Sequence, residues 1–175
     1  GGLRRLDRDG FLPEREKYLQ AGSLDAYLML RGQEFLAELE QIQSAGRLYF
    51  TQVITDEVID FVRRTPEIRQ GVREGSTLYE VKIPYQTREY LTETDPQMRA
   101  YYYCHCPWVR EAIRTGDVRM SPTFCHCSAG FHKTLWEVIL DRPLRAEIVE
   151  TVLQGDPWCS IAIHLPEEAC NQIAA

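Results

Sequence analysis

Two near-identical tripeptides hold the residue types in this chain that are best able to do chemistry, cysteine and histidine. They are Cys104-His105-Cys106 and Cys125-His126-Cys127, and another thiol, Cys159, follows closer to the C-terminus. The reactivity of a cysteine, more than its packing, usually decides where it is kept. The residues alone leave three chemistries open: a metal site, a nucleophilic thiol, or small side chains buried in the core.

A metal site is the first of these chemistries. On a β-strand, residues i and i+2 point to the same side and lie about 6.5–7 Å apart along the backbone, so the two cysteines of either tripeptide would face one ion. Zinc favours four thiolate or imidazole ligands at about 2.0–2.3 Å. The candidate ligands are Cys104, Cys106, Cys125, Cys127 and Cys159, with His105, His126 or His132 as substitutes.

A nucleophilic thiol is the second chemistry, and Cys127 is its best candidate. The segment Ser128-Ala129-Gly130 behind it can open a helix. A helix N-terminus lowers the pKa of a thiol and offers backbone N–H groups to an oxyanion. Cys106, which precedes Pro107, has the same strand-to-helix setting and is the second candidate. Such a thiolate would attack an acyl, amidine or thiazoline carbon.

A histidine beside the thiol would move the protons of that reaction. If the segment that ends at Cys127 is a regular strand, His126 points to the opposite side from the thiol. His132 or His105 is therefore the expected base, and His132 is the catalytic histidine assigned to Cys127.

The third alternative treats the cysteines as small buried hydrophobic residues, and Cys159 fits it best. The aromatic residues of this region are expected in the core, although a pocket for an organic ligand is lined by the same types. The side chains expected to contact such a ligand are His105, Trp108, His126, Phe131 and Trp136.

The elements that position these residues begin with helices. Residues 1–22 are polar and charged and are expected to form a loosely docked N-terminal arm with one helical turn. Ser23 predicts the N-cap of a long amphipathic helix that stops near Gly46. Residues 54–64 predict a second, shorter helix that ends before Pro66.

Strands are expected to follow. Tyr79, Val81, Ile83 and Tyr85 alternate with polar residues and predict a strand whose apolar face they form. Residues 99–104 and 120–127 are interpreted as strands, and residues 107–114 and 129–140 as helices. Residues 144–153 and 158–165 predict a C-terminal β-hairpin, in which Cys159 shares a face with apolar residues. Helices first and an antiparallel sheet with helices on one face later indicate an α+β fold.

Composition excludes several classes of function. The 175 residues suit one domain, the net charge is −6, and no basic patch stands out, so nucleic-acid binding is not expected. No apolar run is long enough to span a membrane, and the start of the chain carries no signal-peptide pattern. Two closely spaced Cys-x-Cys pairs suit a reducing compartment, so a cytoplasmic location is expected.

The end of the chain resembles a known superfamily of small-molecule-binding proteins. The resemblance rests on the segment 125–132, on Pro143-Leu144 with Glu147 downstream, and on Gly155-Asp156-Pro157-Trp158-Cys159. It is to the 4-vinyl reductase domain and the L-2-amino-thiazoline-4-carboxylate hydrolase-like proteins, over roughly residues 100–166. Thr151 stands where the sensor members of that superfamily have a cysteine.

The resemblance implies an α+β domain, here residues 23–175, that encloses an apolar pocket for a small organic ligand and often forms a homodimer. Some members hold zinc near the terminal hairpin through a glutamate and cysteines, which adds Glu147 to the candidate ligands beside Cys159. The expected function is binding of a small organic molecule, with cysteine-dependent hydrolysis of a C–N or C–S bond. The alternative is a non-catalytic ligand-sensing module with structural zinc.

Overall fold

The computed structural model describes residues 8–170 and confirms the expected α+β class, with helices first and an antiparallel sheet that is completed by a C-terminal hairpin. The helices of this part of the chain are α1 Leu12–Ala21, α2 Leu24–Ser44, α3 Asp56–Arg64, α4 Pro66–Arg69, α5 Thr87–Thr92, α6 Pro96–Tyr103, α7 Pro107–Thr115, α8 His126–Leu140 and α9 Glu167–Cys170. The strands are β1 Leu48–Tyr49, β2 Gln52–Val53, β3 Val72–Glu74, β4 Thr77–Val81, β5 Arg145–Glu150 and β6 Ser160–His164.

The long helix α2 begins where the sequence predicts. Ser23 adopts an extended conformation at the N-cap, and its side chain accepts a hydrogen bond from the backbone N–H of Ala26 at 3.2 Å. This bond satisfies one of the N–H groups that a helix leaves unpaired at its first turn. Residues 54–64 also form the expected helix, as α3, with Thr55 at its N-cap.

The N-terminal region differs from the expected arm. Residues 1–7 lie outside the described residues, but Leu12–Ala21 is a full helix that packs on α8. Arg15 donates a hydrogen bond of 3.0 Å to the backbone carbonyl of Ile139, close to the C-terminal end of α8. Tyr18 is 7% exposed and contacts Tyr27 of α2 edge-on. The helix α1 is therefore part of the folded core.

The main sheet has the strand order β3-β4-β6-β5, and all neighbouring strands are antiparallel. β5 and β6 form the predicted hairpin, although β5 ends at Glu150 and a short 3₁₀ turn, Val152–Gln154, replaces the end of the expected strand. The last strand, β6, thus lies in the middle of the sheet, between β4 and β5.

Helices cover one face of this sheet. That face carries Leu78, Ile161 and Ile163, which are at most 2% exposed and pack against α1, α2 and α8. Burial of each such side chain contributes roughly 1.5–3 kcal/mol. Cys159 precedes β6 in register with the same face, as predicted.

The predicted strand forms as β4, and it buries side chains on both of its faces. Leu78 and Glu80 face the helices of this layer, whereas Tyr79 lies on the other side and is half-buried. Val81, on the same side as Tyr79, is 4% exposed and packs with apolar residues of α2 and α3.

Two segments interpreted as strands are helical. Residues 99–104 belong mostly to α6, which Asp95 caps by accepting a hydrogen bond from the backbone N–H of Met98 at 2.8 Å. Residues 120–127 contain a 3₁₀ turn, Pro122–Cys125, that runs directly into α8.

A second apolar cluster lies beyond the end of β4. It contains the C-terminal half of α2 with α3, α5, α6 and α7, and its largest fully buried side chain is Tyr103. The junction between this cluster and the helix-covered sheet holds both cysteine tripeptides. Within residues 8–170, no helix is long and apolar enough to cross a membrane.

Candidate functional site

Five cysteines line one small enclosed cavity of about 60 Å³, which is called the cysteine cavity below. Its walls are the link between α6 and α7, the start of α8, the end of β4 and the β5–β6 hairpin. The sequence separates these thiols by up to 55 positions, and the fold brings them together. The candidate residues on this wall are Cys104, His105, Cys106, Cys125, Cys127 and Cys159.

The first tripeptide forms the link between α6 and α7. Tyr103, the last residue of α6, donates a hydrogen bond from its hydroxyl group to the backbone carbonyl of Lys82 at 2.7 Å, which fixes the link to the end of β4. Cys106 is the N-cap residue of α7, and Pro107 occupies its first turn. A proline is favoured there because its missing N–H would have no helical partner.

The second tripeptide starts α8. Cys125 is the N-cap residue, and His126 and Cys127 are the first two residues of the helix. Consecutive helical residues are rotated by about 100° around the helix axis. The expectation that Cys125 and Cys127 point to the same side, as on a strand, therefore does not apply. Both nucleophile candidates, Cys106 and Cys127, therefore lie at a helix N-terminus, but neither is reached from a strand.

The five thiols have unequal environments. Burial raises the pKa of Cys104 to about 12 and that of Cys159 to about 11, and it also raises the pKa of Cys125. A thiol with a raised pKa is a weak nucleophile at neutral pH, because the thiolate is the reactive form. Cys106 is half-buried and Cys127 is exposed. Cys127 is therefore the exposed thiol of the cavity, whereas Cys125 and Cys159 are half-buried like Cys106.

A lysine that the sequence analysis missed also lines the cysteine cavity. Lys82 follows β4 directly, and its ammonium group lies 3.4 Å from the hydroxyl oxygen of Ser128, near the start of α8. Burial lowers the pKa of Lys82. Within the described residues it has no carboxylate within ion-pairing distance. The available signal was its position two residues after Glu80, which places both side chains on the same face of the strand.

The carboxylate at the cavity is Glu150, whereas Glu147 points elsewhere. Glu150 accepts a hydrogen bond from the indole N–H of Trp158 at 2.7 Å. Glu147 lies on the other face of the sheet, where it pairs with Arg145 and lies 3.3 Å from Nε2 of His164. The predicted ligand pair of Glu147 and Cys159 is therefore not brought together.

The cysteine cavity has the right chemistry for zinc but not the arrangement. Thiolates and imidazoles are the ligands that zinc prefers. Nowhere in residues 8–170, however, do three or more cysteine, histidine or carboxylate side chains converge as a metal site needs. The Lys82 ammonium group on the same wall also opposes a dication. As arranged, these residues do not fit a zinc ion.

A larger cavity of about 660 Å³ adjoins this region and is called the large cavity below. Its walls come from α1, α2, α4, α8 and the end of β4, and they combine aromatic with charged side chains. The aromatic ones are Phe35, Tyr49, Phe50 and Phe131. Lys82 and His105 line both cavities, so they form the wall that the two share.

A buried ion cluster, Arg31–Glu80–His132, lies beside the large cavity. Nδ1 of His132 lies 2.6 Å from one carboxylate oxygen of Glu80, and Arg31 pairs with the other. Burial alone would raise the pKa of Glu80, but the charges and hydrogen bonds of Arg31 and His132 lower it to about 2. The ionised carboxylate fixes the orientation of the His132 ring. His132 lines the large cavity and is not among the residues of the cysteine cavity.

His105 is the histidine that lies among the thiols. Its Nε2 lies 2.7 Å from the backbone carbonyl of Ile83. A carbonyl oxygen only accepts hydrogen bonds, so Nε2 carries the proton and Nδ1 is left as an acceptor when the ring is neutral. Burial, together with the positive charges of Lys82 and Arg110, lowers the pKa of His105 to about 4.

This lowered pKa predicts a pH-dependent stability. Between about pH 6.5 and 4 the unfolded chain binds a proton at His105 that the folded chain does not, so the free energy of unfolding should fall as the pH is lowered through that window. His105→Gln should lose this part of the pH dependence, and His126→Gln, at an exposed histidine, should retain it. Urea unfolding at several pH values measures both, and parallel curves for wild type and His105→Gln would contradict the assignment.

The remaining predicted ligand contacts fall into two groups. Phe131 lines the large cavity. Trp136 is fully buried between α2 and the sheet, where it contacts Tyr27. Trp108 is 71% exposed beside Phe124, and His126 is exposed. These last three are not among the residues that line either cavity.

No protein-family model, curated protein or solved structure matches this chain. A function therefore has to be argued from the two cavities and their shared wall.

Proposed function

We propose that this chain binds a small organic molecule in the large cavity and hydrolyses a C–N or C–S bond at its end with a thiol of the cysteine cavity. The observation that carries the proposal is the shared wall: Lys82 and His105 line both cavities. A ligand whose body is bound in the large cavity would present its reactive end, beside Lys82 and His105, to the thiols of the cysteine cavity.

The volumes of the two cavities suit different parts of the ligand. A cavity of about 660 Å³ lies within the range of roughly 300–1,000 Å³ that is usual for small-molecule sites. A cavity of about 60 Å³ has room for a few atoms only. The body of the ligand would therefore occupy the large cavity, and only the reacting group would enter the cysteine cavity.

Cys127 is the proposed nucleophile, because it is the exposed thiol of the cavity and lies in the first turn of α8. Cys106, at the N-cap of α7, is the second candidate. The thiol proton would pass to Nδ1 of His105, the sulfur would bond to the electrophilic carbon, and the C=N or C=O electron pair would move to the heteroatom. The leaving nitrogen or sulfur would take the proton as its bond to carbon breaks. Water would then release the product and restore the thiol.

Backbone N–H groups at the start of α8 would stabilise the developing negative charge. The resemblance of the chain's end to the L-2-amino-thiazoline-4-carboxylate hydrolase-like proteins supports a thiazoline as the first substrate to test. The free state of all six cysteines suits a reducing cytoplasm, which is part of the same proposal.

The second candidate function is a non-catalytic ligand-sensing module, a homodimer with structural zinc. The presence of five cysteines around one cavity favours it. It requires side-chain rearrangements that bring at least three ligands onto one ion and move the Lys82 ammonium group away.

One experiment separates the two candidates. Protein purified without chelator is assayed for zinc, for native thiol reactivity by mass spectrometry, and for hydrolysis of L-2-amino-thiazoline-4-carboxylate. We expect no stoichiometric zinc, fastest alkylation at Cys127 or Cys106, and turnover that alkylation abolishes. One zinc per chain, with unreactive thiols that a chelator exposes, would favour the sensing module. Slow thiols without zinc or turnover would overturn both.

A further inference from the structure

Lys82 differs from the other lysines of the chain in its surroundings. The sequence contains only three lysines, at positions 17, 82 and 133. Lys17 pairs with Glu14 at 2.9 Å and with Glu34 at 2.6 Å, and Lys133 pairs with Glu137 at 2.6 Å. Lys82 has no comparable carboxylate partner in the described part of the chain. Its ammonium group donates a hydrogen bond to the hydroxyl group of Ser128, at 3.4 Å.

The position of Lys82 gives this amine access to a ligand. It follows directly after β4, and the bonds of its backbone to Tyr103 and Cys159 hold it in place. Lys82 lines both cavities, so a ligand in either of them can contact it. A desolvated lysine without a counter-ion is the form that proteins use as a carbonyl nucleophile.

We propose that Lys82 captures a small aldehyde or ketone as an imine at the shared wall of the two cavities. This inference rests on the proposed function for the position of the site, and it goes beyond that function by adding a second class of ligand, an aldehyde or ketone. The ligand would carry its carbonyl group at one end of an apolar or aromatic body, since Phe35, Tyr49 and Phe131 line the large cavity.

The step balances with the groups at the site. The nitrogen lone pair of neutral Lys82 adds to the carbonyl carbon, and the C=O electron pair takes up a proton from the nitrogen to give a carbinolamine. The hydroxyl group then leaves as water with the second nitrogen proton, and the C=N bond forms. The hydroxyl group of Ser128, within reach of the amine, relays these protons. No oxidant or reductant is consumed.

Reductive trapping with benzaldehyde tests the proposal directly. The full chain is incubated with benzaldehyde and sodium cyanoborohydride near neutral pH, and the modified lysines are located by peptide mapping. We expect Lys82 to be benzylated at least about tenfold faster than Lys17 and Lys133, because those two are held as ion-paired ammonium groups. Because this comparison is made within the wild-type chain, it does not depend on whether any variant folds.

Matched variants complete the test. Lys82→Arg should abolish the fast modification, whereas Lys133→Arg, at a residue that lines neither cavity, should retain it; circular dichroism checks that each variant is folded. Equal, slow modification of all three lysines in the wild type would overturn the imine proposal. If thiazoline hydrolysis and fast alkylation of Cys127 or Cys106 persist in that case, the proposed function stands without it. If they are also absent, both fail.

Discussion

Cys127→Ser is expected to lower the kcat for hydrolysis of L-2-amino-thiazoline-4-carboxylate by at least about a thousandfold. A serine fits the same position at the start of α8, but its hydroxyl group does not ionise near neutral pH as a thiol does. The measurement is the steady-state rate with saturating substrate, together with the affinity for the substrate, which the change should leave nearly unaltered.

Two other cysteines provide matched controls for this loss. Cys170→Ser changes a thiol in α9, away from the cysteine cavity, and should retain wild-type kcat. Cys159→Ser changes a half-buried thiol of the cavity wall, whose raised pKa makes it a poor nucleophile, and should retain most of the activity. Full activity in Cys127→Ser would contradict the assignment. Loss of activity in Cys106→Ser instead would move the nucleophile to the start of α7.

Glu80→Gln is expected to lower the free energy of unfolding by about 3 kcal/mol at neutral pH. Glu80 is 2% exposed and ionised, and it holds both Arg31 and His132. The neutral amide of glutamine removes the negative charge between Arg31 and His132. Its NH₂ group would also face an N–H donor of one of these two side chains, so one hydrogen bond is lost. Urea unfolding followed by circular dichroism measures the loss, which is a large share of the usual 5–15 kcal/mol of a domain.

The pH dependence of the same variant provides a second measurement. Because the folded-state pKa of Glu80 is about 2, against an ordinary value of 4.5, its contribution is complete above about pH 4.5 and is lost as the pH falls towards 2. The difference between wild type and Glu80→Gln should therefore shrink in acid. Glu34→Gln is the control, since this half-exposed carboxylate pairs with Lys17 at the surface and should cost less than about 1 kcal/mol. Equal effects of the two changes would contradict a dominant role for the buried cluster.

The sequence predicts those elements whose signals are local. Ser23 marks the start of α2 because the cap and the helix it begins lie within four residues of each other. The β5–β6 hairpin is likewise predicted from an alternating pattern on both sides of one turn. Such signals depend little on the rest of the molecule, and the structure confirms them.

The aromatic and cysteine-rich segments were misinterpreted because their composition favours strands. Tyr101, Tyr102 and Tyr103 have high strand propensity, yet Asp95 and Pro96 supply an N-cap and a first-turn proline, and the segment is helix α6. The cap signal, Asp95-Pro96, is present in the sequence directly before the aromatic segment. Tertiary packing and the cap together outweigh the propensity of the individual residues.

The candidate site was predicted in part. The two tripeptides and Cys159 do line one cavity, as their residue types suggested. Lys82 and Glu80 were missed, because alternation gives the two faces of a strand but does not tell which face other elements will cover. Here α2 and α8 cover the face of Glu80, and the charges of Arg31 and His132 allow a carboxylate to be buried there. Which face of the strand is covered is decided by contacts between distant parts of the chain.

The central position of β6 has a consequence for the order of assembly. β4 pairs with β6 along its whole length, and the two strands are separated by about 80 residues. The conformational entropy lost in closing this long loop has to be overcome before the hydrogen bonds between the strands form. During synthesis, β4 is made well before its partner and has only the three-residue strand β3 beside it. We therefore expect helices α1 and α2 to form early and the sheet to complete slowly. Chains lacking residues 160–164 should remain open, exposed to proteolysis and prone to aggregation.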